Sequence, residues 1–215
     1  MWIATECTNV RSTSQKATVA TKKRRIAVIF AAFWLTAVAI GMSMVISFSN
    51  TAGAIGKPLS EWPFDCPIQR AVERNTLLMF IHPRCPCSRA SLRELAEILA
   101  QAGDGLEANV LFFQPVDEPD NWSHTDLWET ATHIPGVKVK SDLGAATASQ
   151  FGAETSGHVL LYDAKGRLLF SGGITAGRGH EGDNSGHSAV VSLVQGKAHL
   201  LNSCPIFGCP VVESD

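Results

Sequence analysis

Apolar residues fall along this chain in three patterns. From Ile26 to Phe48 they form a run with no charge that is apolar on every face, which predicts a helix long enough to span a bilayer. Beyond a Gly/Ala/Pro-containing spacer from Ser49 to about Pro63, short apolar runs alternate with helical stripes. Thr76–His82 predicts a strand buried on both faces, and Ser88–Gln101 a helix with its stripe at Leu92, Leu95, Ala96, Ile98 and Leu99, closed by Gly103. Ala108–Phe113 predicts a second strand, Trp122–Thr132 a weak helix, Val137–Val139 a short strand, and Leu143–Phe151 a helix ending at Gly152. Val159–Tyr162 and Arg167–Phe170 predict strands joined by the turn Asp163-Ala164-Lys165-Gly166, and Ser188–Val194 a last helix. The order β-α-β-α-β-β-α is an α/β pattern.

Charge gives the apolar run a direction. Residues 1–25 hold six of the 18 Lys and Arg residues and one of the 20 acidic residues, so the remainder carries −7. The cluster Lys22-Lys23-Arg24-Arg25 abuts the run, which predicts a cytoplasmic N-terminus and an exported remainder at the inner membrane, facing the periplasm. The competing reading is a cleaved signal peptide, with Thr51-Ala52-Gly53-Ala54 as the cleavage site. The acidic remainder argues against nucleic acid as a partner. The chain divides into a basic segment 1–25, an anchor 26–48, a linker 49–65, a domain 66–200 and a cysteine-containing tail 201–215.

Export changes what the six cysteines mean. Cys7 stays in the cytoplasm. Cys66, Cys85, Cys87, Cys204 and Cys209 enter an oxidising compartment, where an odd number leaves at least one thiol free, intermolecular or transiently paired. Cys85 and Cys87 flank Pro86 where the first strand gives way to the first helix of the domain. A helix N-terminus offers unpaired N–H groups and the positive end of a dipole, both of which favour a thiolate, and Arg84 and Arg89 add positive charge. Arg84 is therefore the expected thiolate-stabilising residue, Cys85 the attacking thiol and Cys87 the resolving one. The bland alternative is a pair of inert thiols on a structural helix. Gly177-Arg178-Gly179-His180-Glu181-Gly182 matches a dinucleotide fingerprint in letters only, because no parallel strand and no acidic residue follow at the required distance. The stretch Gly172–Gly186 is better read as a loop at the thiol end of the sheet, with His180, Glu181 and Asp183 beside the cysteines. Trp122 and Trp128 are read either as core or as a docking surface.

The element order with paired thiols after the first strand resembles the thioredoxin superfamily over about residues 66–196. The stretches His82–Ser91 and Gly166–Thr175, with Phe207-Gly208-Cys209-Pro210, resemble bacterial RedB-type thioredoxin-like proteins more narrowly. The resemblance implies a thioredoxin-like fold, a central mixed sheet flanked by helices behind a transmembrane helix. It also implies a thiol–disulfide oxidoreductase without organic cofactor, acting on protein or small-thiol substrates. The chain departs from the family at two places. One residue, not two, separates the cysteines. The family's cis-proline position falls on Gly157, which opens the groove opposite the nucleophile. His158 follows at the start of the next strand, near the nucleophile by family topology, so a copper or zinc carrier using Cys85, Cys87 and His158 is the rival function. A non-catalytic interaction module is a third. Cys204 and Cys209 are read as a static disulfide or as a relay in which Cys209 exchanges with Cys85 or Cys87.

Overall fold

A computed structural model describes residues 4–212 apart from residue 198, with side chains from residue 21 onward. Cys7 thus lies outside the described side chains, and 213–215 of the tail outside the described residues. The chain forms two units, Met1–Phe48 and Ser49–Asp215. Helix α1 (Ala4–Asn50) carries the apolar run, and its stretch Thr21–Asn50 is long and apolar enough to cross a membrane. The side chains of residues 21–48 are exposed, Phe33 and Phe30 among them. A run apolar on all sides gives a helix no preferred inward face, and a lipid environment requires none.

The second unit is built on one six-stranded sheet in the order β3-β2-β1-β4-β5-β6. Strand β1 (Asn75–Ile81) lies parallel to β2 (Leu106–Gln114), and β2 parallel to β3 (Val137–Leu143). Strand β4 (His158–Tyr162) runs antiparallel to β1, β5 (Leu168–Gly172) antiparallel to β4, and β6 (Ser203–Cys204) parallel to β5. The alternation of β1 explains its continuous apolar run. Leu77, Met79 and Ile81 join one core with α2 (Ser88–Ala102), α3 (Asp126–Thr132) and α5 (Ser185–Val194). Leu78 and Phe80 join the other, with Phe151, Leu160, Tyr162 and α4 (Ala146–Gln150). Each such side chain, fully buried, contributes about 1.5–3 kcal/mol.

Several expectations shift. Strand β3 runs four residues beyond Val139, because all seven of its residues pair with β2, from Ala108↔Val137 to Gln114↔Leu143. The helix expected from Leu143 starts only at Ala146. The Asp142 carboxylate accepts the N–H groups of Thr147 and Ala148, both at 2.8 Å, and so holds the first turn of α4 at that point. The spacer 49–65 is laid onto the domain. Trp62 packs edge-on against Phe151 and Tyr162, the Tyr162 hydroxyl donates to Leu59 O at 2.8 Å, and Leu168 N–H donates to Ser60 O at 2.9 Å. A segment held by its backbone shows no side-chain period. The tail is likewise part of the sheet through β6, with Ile206 and Val211 buried.

Because β1, β2 and β5 run the same way and β4 the opposite way, their junctions at one end of the sheet come together. These are the turn after β1, the loop after β2, the turn before β4 and the loop after β5. That end carries the thiols.

Candidate active site

Cys85 sits in the tight turn between β1 and α2, and Cys87 at the helix N-cap. The Cys85 N–H donates to His82 O at 3.0 Å and the Ser88 N–H to Cys85 O at 3.2 Å, so the turn winds directly into the helix. Cys85 is 1% exposed, while Pro86 between the cysteines faces solvent.

The Cys85 sulfur is surrounded by donors. Burial pushes its thiol up. Hydrogen bonds from the Ser88 hydroxyl, from the backbone N–H and the thiol of Cys209, and from the Cys87 N–H outweigh burial and hold it below the ordinary value of 9.0. The Ser88 proton is directed there by a relay of hydroxyls. His82 N–H donates to Ser156 Oγ at 2.8 Å, leaving the Ser156 proton for Ser88 Oγ, also at 2.8 Å, and the Ser88 proton for Cys85. Replacing Ser88 by alanine removes that donor. The pH at half-maximal Cys85 alkylation is then expected to move upward, and an unmoved profile refutes the relay.

The neighbouring thiols are set the other way. Burial and the adjacent Cys85 charge raise Cys87, with a hydrogen bond and positive charge from Arg178 in partial opposition. Burial, its hydrogen bond to Cys85 and the charges of Cys85 and Cys87 push Cys209 up to about 12. The negative charge is therefore favoured at Cys85 and disfavoured at the thiols beside it.

Arg178 rather than Arg84 is the arginine that acts on the thiols, at Cys87 and Cys209. The Arg84 guanidinium lies 4.3 Å from the centre of the Trp122 ring, a cation–π contact that turns it away from the sulfurs. Arg89 pairs with Asp126 on α3. The loop after β5 does reach the thiols, but through Arg178. Glu181 pairs with Arg93 at 2.8 Å, and His180 Nδ1 faces the Arg178 carbonyl oxygen at 2.9 Å. Arg178 stood inside the glycine-rich motif set aside above, and its charge was the available signal. Trp122 is half-buried, edge-on to His82, and Trp128 packs on Phe112.

Gly157 does not open a groove. It has φ +88°, its N–H donates to Phe80 O at 2.7 Å, and a Cβ there would lie 3.0 Å from Ser91 Oγ on α2. A proline would lose that bond and cannot take that φ. Gly157→Ala is expected to destabilise the fold by about 1–2 kcal/mol, measured by denaturant titration; an unchanged midpoint overturns this. The residue of this turn that reaches toward the nucleophile is Ser156, through Ser88.

His158 is fully buried, its Nε2 2.8 Å from Ser171 Oγ, and burial lowers its pKa to about 4. Among the described residues, Cys85, Cys87 and His158 do not converge as ligands. Three ligating atoms come within 4.8 Å of one another at Glu94, Glu97 and His187. There Glu94 is already engaged by His187 Nδ1 and Gly182 N–H, both at 2.6 Å, which ties the loop after β5 to α2. The five described cysteines are free. Cys204 lies in the α5-side core with Ser185 Oγ 3.5 Å from its sulfur, whereas Cys209 lies at Cys85, so the structure holds no Cys204–Cys209 bridge. Cys66 is half-buried beside Ile68, at the other core.

No family model and no curated protein matches this chain. Solved structures do. A hypothetical protein from Sinorhizobium meliloti 1021 is 20% identical with a TM-score of 0.55, over 76% of this chain and 96% of its own. An uncharacterised conserved protein from Geobacillus kaustophilus is 18% identical with a TM-score of 0.53, over 77% and 95%. A secreted Mycobacterium tuberculosis disulfide oxidoreductase is 12% identical with a TM-score of 0.41, over 58% and 84%. The β1-α2-β2 half and the β4-β5-α5 half share one sheet in the order β2-β1-β4-β5. The fold is thioredoxin-like. Strand β3 and the tail strand β6 extend that sheet at its two edges. The thiols sit where this fold turns from its first core strand into its first core helix.

Proposed function

We propose that this chain is a thiol–disulfide oxidoreductase of the thioredoxin-like fold, held at the inner membrane by residues 26–48 with its Cys85 domain in the periplasm. The observation that carries the reading is the Cys85 environment: a thiolate favoured by four hydrogen-bond donors at a helix N-terminus, with thiols of higher pKa beside it. That asymmetry suits exchange. The thiolate attacks a substrate disulfide, and a neighbouring thiol then releases the mixed disulfide. Cys87, next to it in the chain and held by Arg178, is one such neighbouring thiol, and Cys209 is another. Protein disulfides or small disulfides are the substrates, and exchange between thiols and disulfides needs no organic cofactor. The Cys-Pro-Cys motif and the Phe207–Pro210 segment favour the RedB-type subgroup.

The test is an exchange assay on the full chain in detergent, with a disulfide-containing peptide and a dithiol as the couple. Turnover above the uncatalysed rate is expected; a folded chain inactive in both directions points instead to an interaction module. The topology has its own test. A reporter enzyme active only in the periplasm, fused after Asp215, is expected to be active, motivated by the Lys22–Arg25 cluster and the uncharged run behind it. Activity restricted to a cytoplasmic reporter reverses the orientation.

A further inference from the structure

The C-terminal tail is seated at the thiols by its own backbone. Arg178 Nη1 donates to Gly208 O at 2.6 Å, Ser156 N–H to Cys209 O at 2.8 Å, and Val211 N–H to Glu154 O at 2.8 Å. Thr155 and Pro210 form an antiparallel bridge. Upstream, β6 pairs with β5, Gly53 N–H donates to Ile206 O at 2.8 Å, and Ile206 is fully buried. Gly208 fits because it has no side chain; a Cβ there would overlap the Ser156 carbonyl. Residue 209 is thus fixed from both sides, and its N–H and its thiol both point to Cys85. The pairing of residues 208–211 with 154–156 uses main-chain groups alone. The thiol is the part of this segment that the seat does not require, and it is the part that meets the nucleophile.

Resting on the oxidoreductase reading, we infer that Cys209 is a third redox residue: the tail delivers it to Cys85, and the two sulfurs form a disulfide during turnover. The Cys85 thiolate attacks one sulfur of a substrate disulfide. That S–S bond breaks, and the first substrate thiolate leaves and takes a proton from the Cys209 thiol. The Cys209 thiolate attacks Cys85 Sγ in the mixed disulfide, forming Cys85–Cys209 and expelling the second substrate thiolate, which water protonates. Two electrons have passed from the two protein thiols to the substrate, and an external dithiol reduces Cys85–Cys209 to restart the cycle. The tail occupies the edge at 154–156, so it withdraws to admit a substrate and returns to release it.

Disulfide mapping decides the matter without any variant. The full chain in detergent is equilibrated with a mixture of reduced and oxidised glutathione, alkylated, digested and analysed by mass spectrometry. A peptide carrying Cys85–Cys209 is expected as the main intramolecular link, and it persists in Cys87→Ser. A population holding Cys85–Cys87 or Cys204–Cys209 with no Cys85–Cys209 overturns the inference. Two variants add kinetics. Cys209→Ser is expected to accumulate Cys85-linked mixed disulfides and to slow turnover at least tenfold. Gly208→Val unseats the tail, so Cys85 alkylation should accelerate at least tenfold while the Cys85–Cys209 link disappears. Full turnover in a folded Cys209→Ser chain removes Cys209 from the mechanism but leaves the oxidoreductase reading intact. That reading itself fails when Cys85→Ser keeps the activity of the parent chain.

Discussion

Cys85→Ser is expected to lower thiol–disulfide exchange by about a thousandfold or more, the scale on which covalent catalysts lose rate when their nucleophile is removed. The reason lies in the hydrogen bonds that converge on one sulfur. Ser88, Cys87 and both donors of Cys209 stabilise a negative charge at that point, against the cost of nearly complete burial. A serine hydroxyl in the same place accepts the same hydrogen bonds but does not ionise near neutral pH and does not attack a disulfide. Cys87 and Cys209 do not replace it, because burial, the largest cause raising each, persists when the Cys85 charge is gone. The measurement is initial rate against enzyme concentration, with circular dichroism to show that the variant is folded. A folded variant with more than a tenth of the parent rate would place the nucleophile elsewhere.

The second large effect concerns acid. His158 is fully buried, with Ser171 Oγ at Nε2, and desolvation lowers its pKa from 6.5 to about 4. The unfolded chain takes up a proton near 6.5, and the folded chain only near 4. Between those values the unfolded state binds more protons, so stability falls as pH drops. The contribution is complete above pH 6.5 and has been lost below about 4, and it amounts to roughly 3 kcal/mol. Melting temperature is therefore expected to fall from pH 7 to pH 4.5 in the parent chain, and to fall less in His158→Asn. The difference isolates His158, because Glu107 with its partners Arg74 and Lys138 and the Glu94–His187 pair are common to both chains. Parallel melting curves across that range would show that His158 does not control the acid limb.

These two results separate the two residues that the sequence suggested as partners. Cys85 and His158 both belong to the thiol end of the sheet by chain order, since one follows β1 and the other opens β4. Register decides the rest. His158 pairs with Phe80, inside the strand, and its ring is held by Ser171 on β5. A side chain within a paired strand is committed to one face of the sheet, and which face it takes depends on pairing with other strands. Ser156, two residues earlier and outside the strand, is free of that constraint and meets Ser88 and Cys209. The sequence carried no sign favouring Ser156, since serine is ordinary in a turn.

What the sequence determined by itself is what depends on neighbours along the chain. The uncharged run from Ile26 lies in a helix long and apolar enough to cross a membrane, a property of its length and composition alone. The alternation of β1, β2, β4 and β5 and the stripe of α2 determined the two buried faces, and with them the thioredoxin-like order. The placement of Cys85 at a strand-to-helix junction followed from the same patterns. The tertiary structure alone decided what surrounds that sulfur. Arg84, three letters from Cys87, turned to Trp122, while Arg178, more than ninety residues away, reached Cys87. Cys204 and Cys209, with four residues between them, went to different places, one to the core against α5 and one to the nucleophile. An extended backbone carries successive side chains to opposite sides, and its destination depends on which strand edges remain unpaired. The edge of β5 and the turn before β4 were such places, and no local pattern in the tail records that they were open.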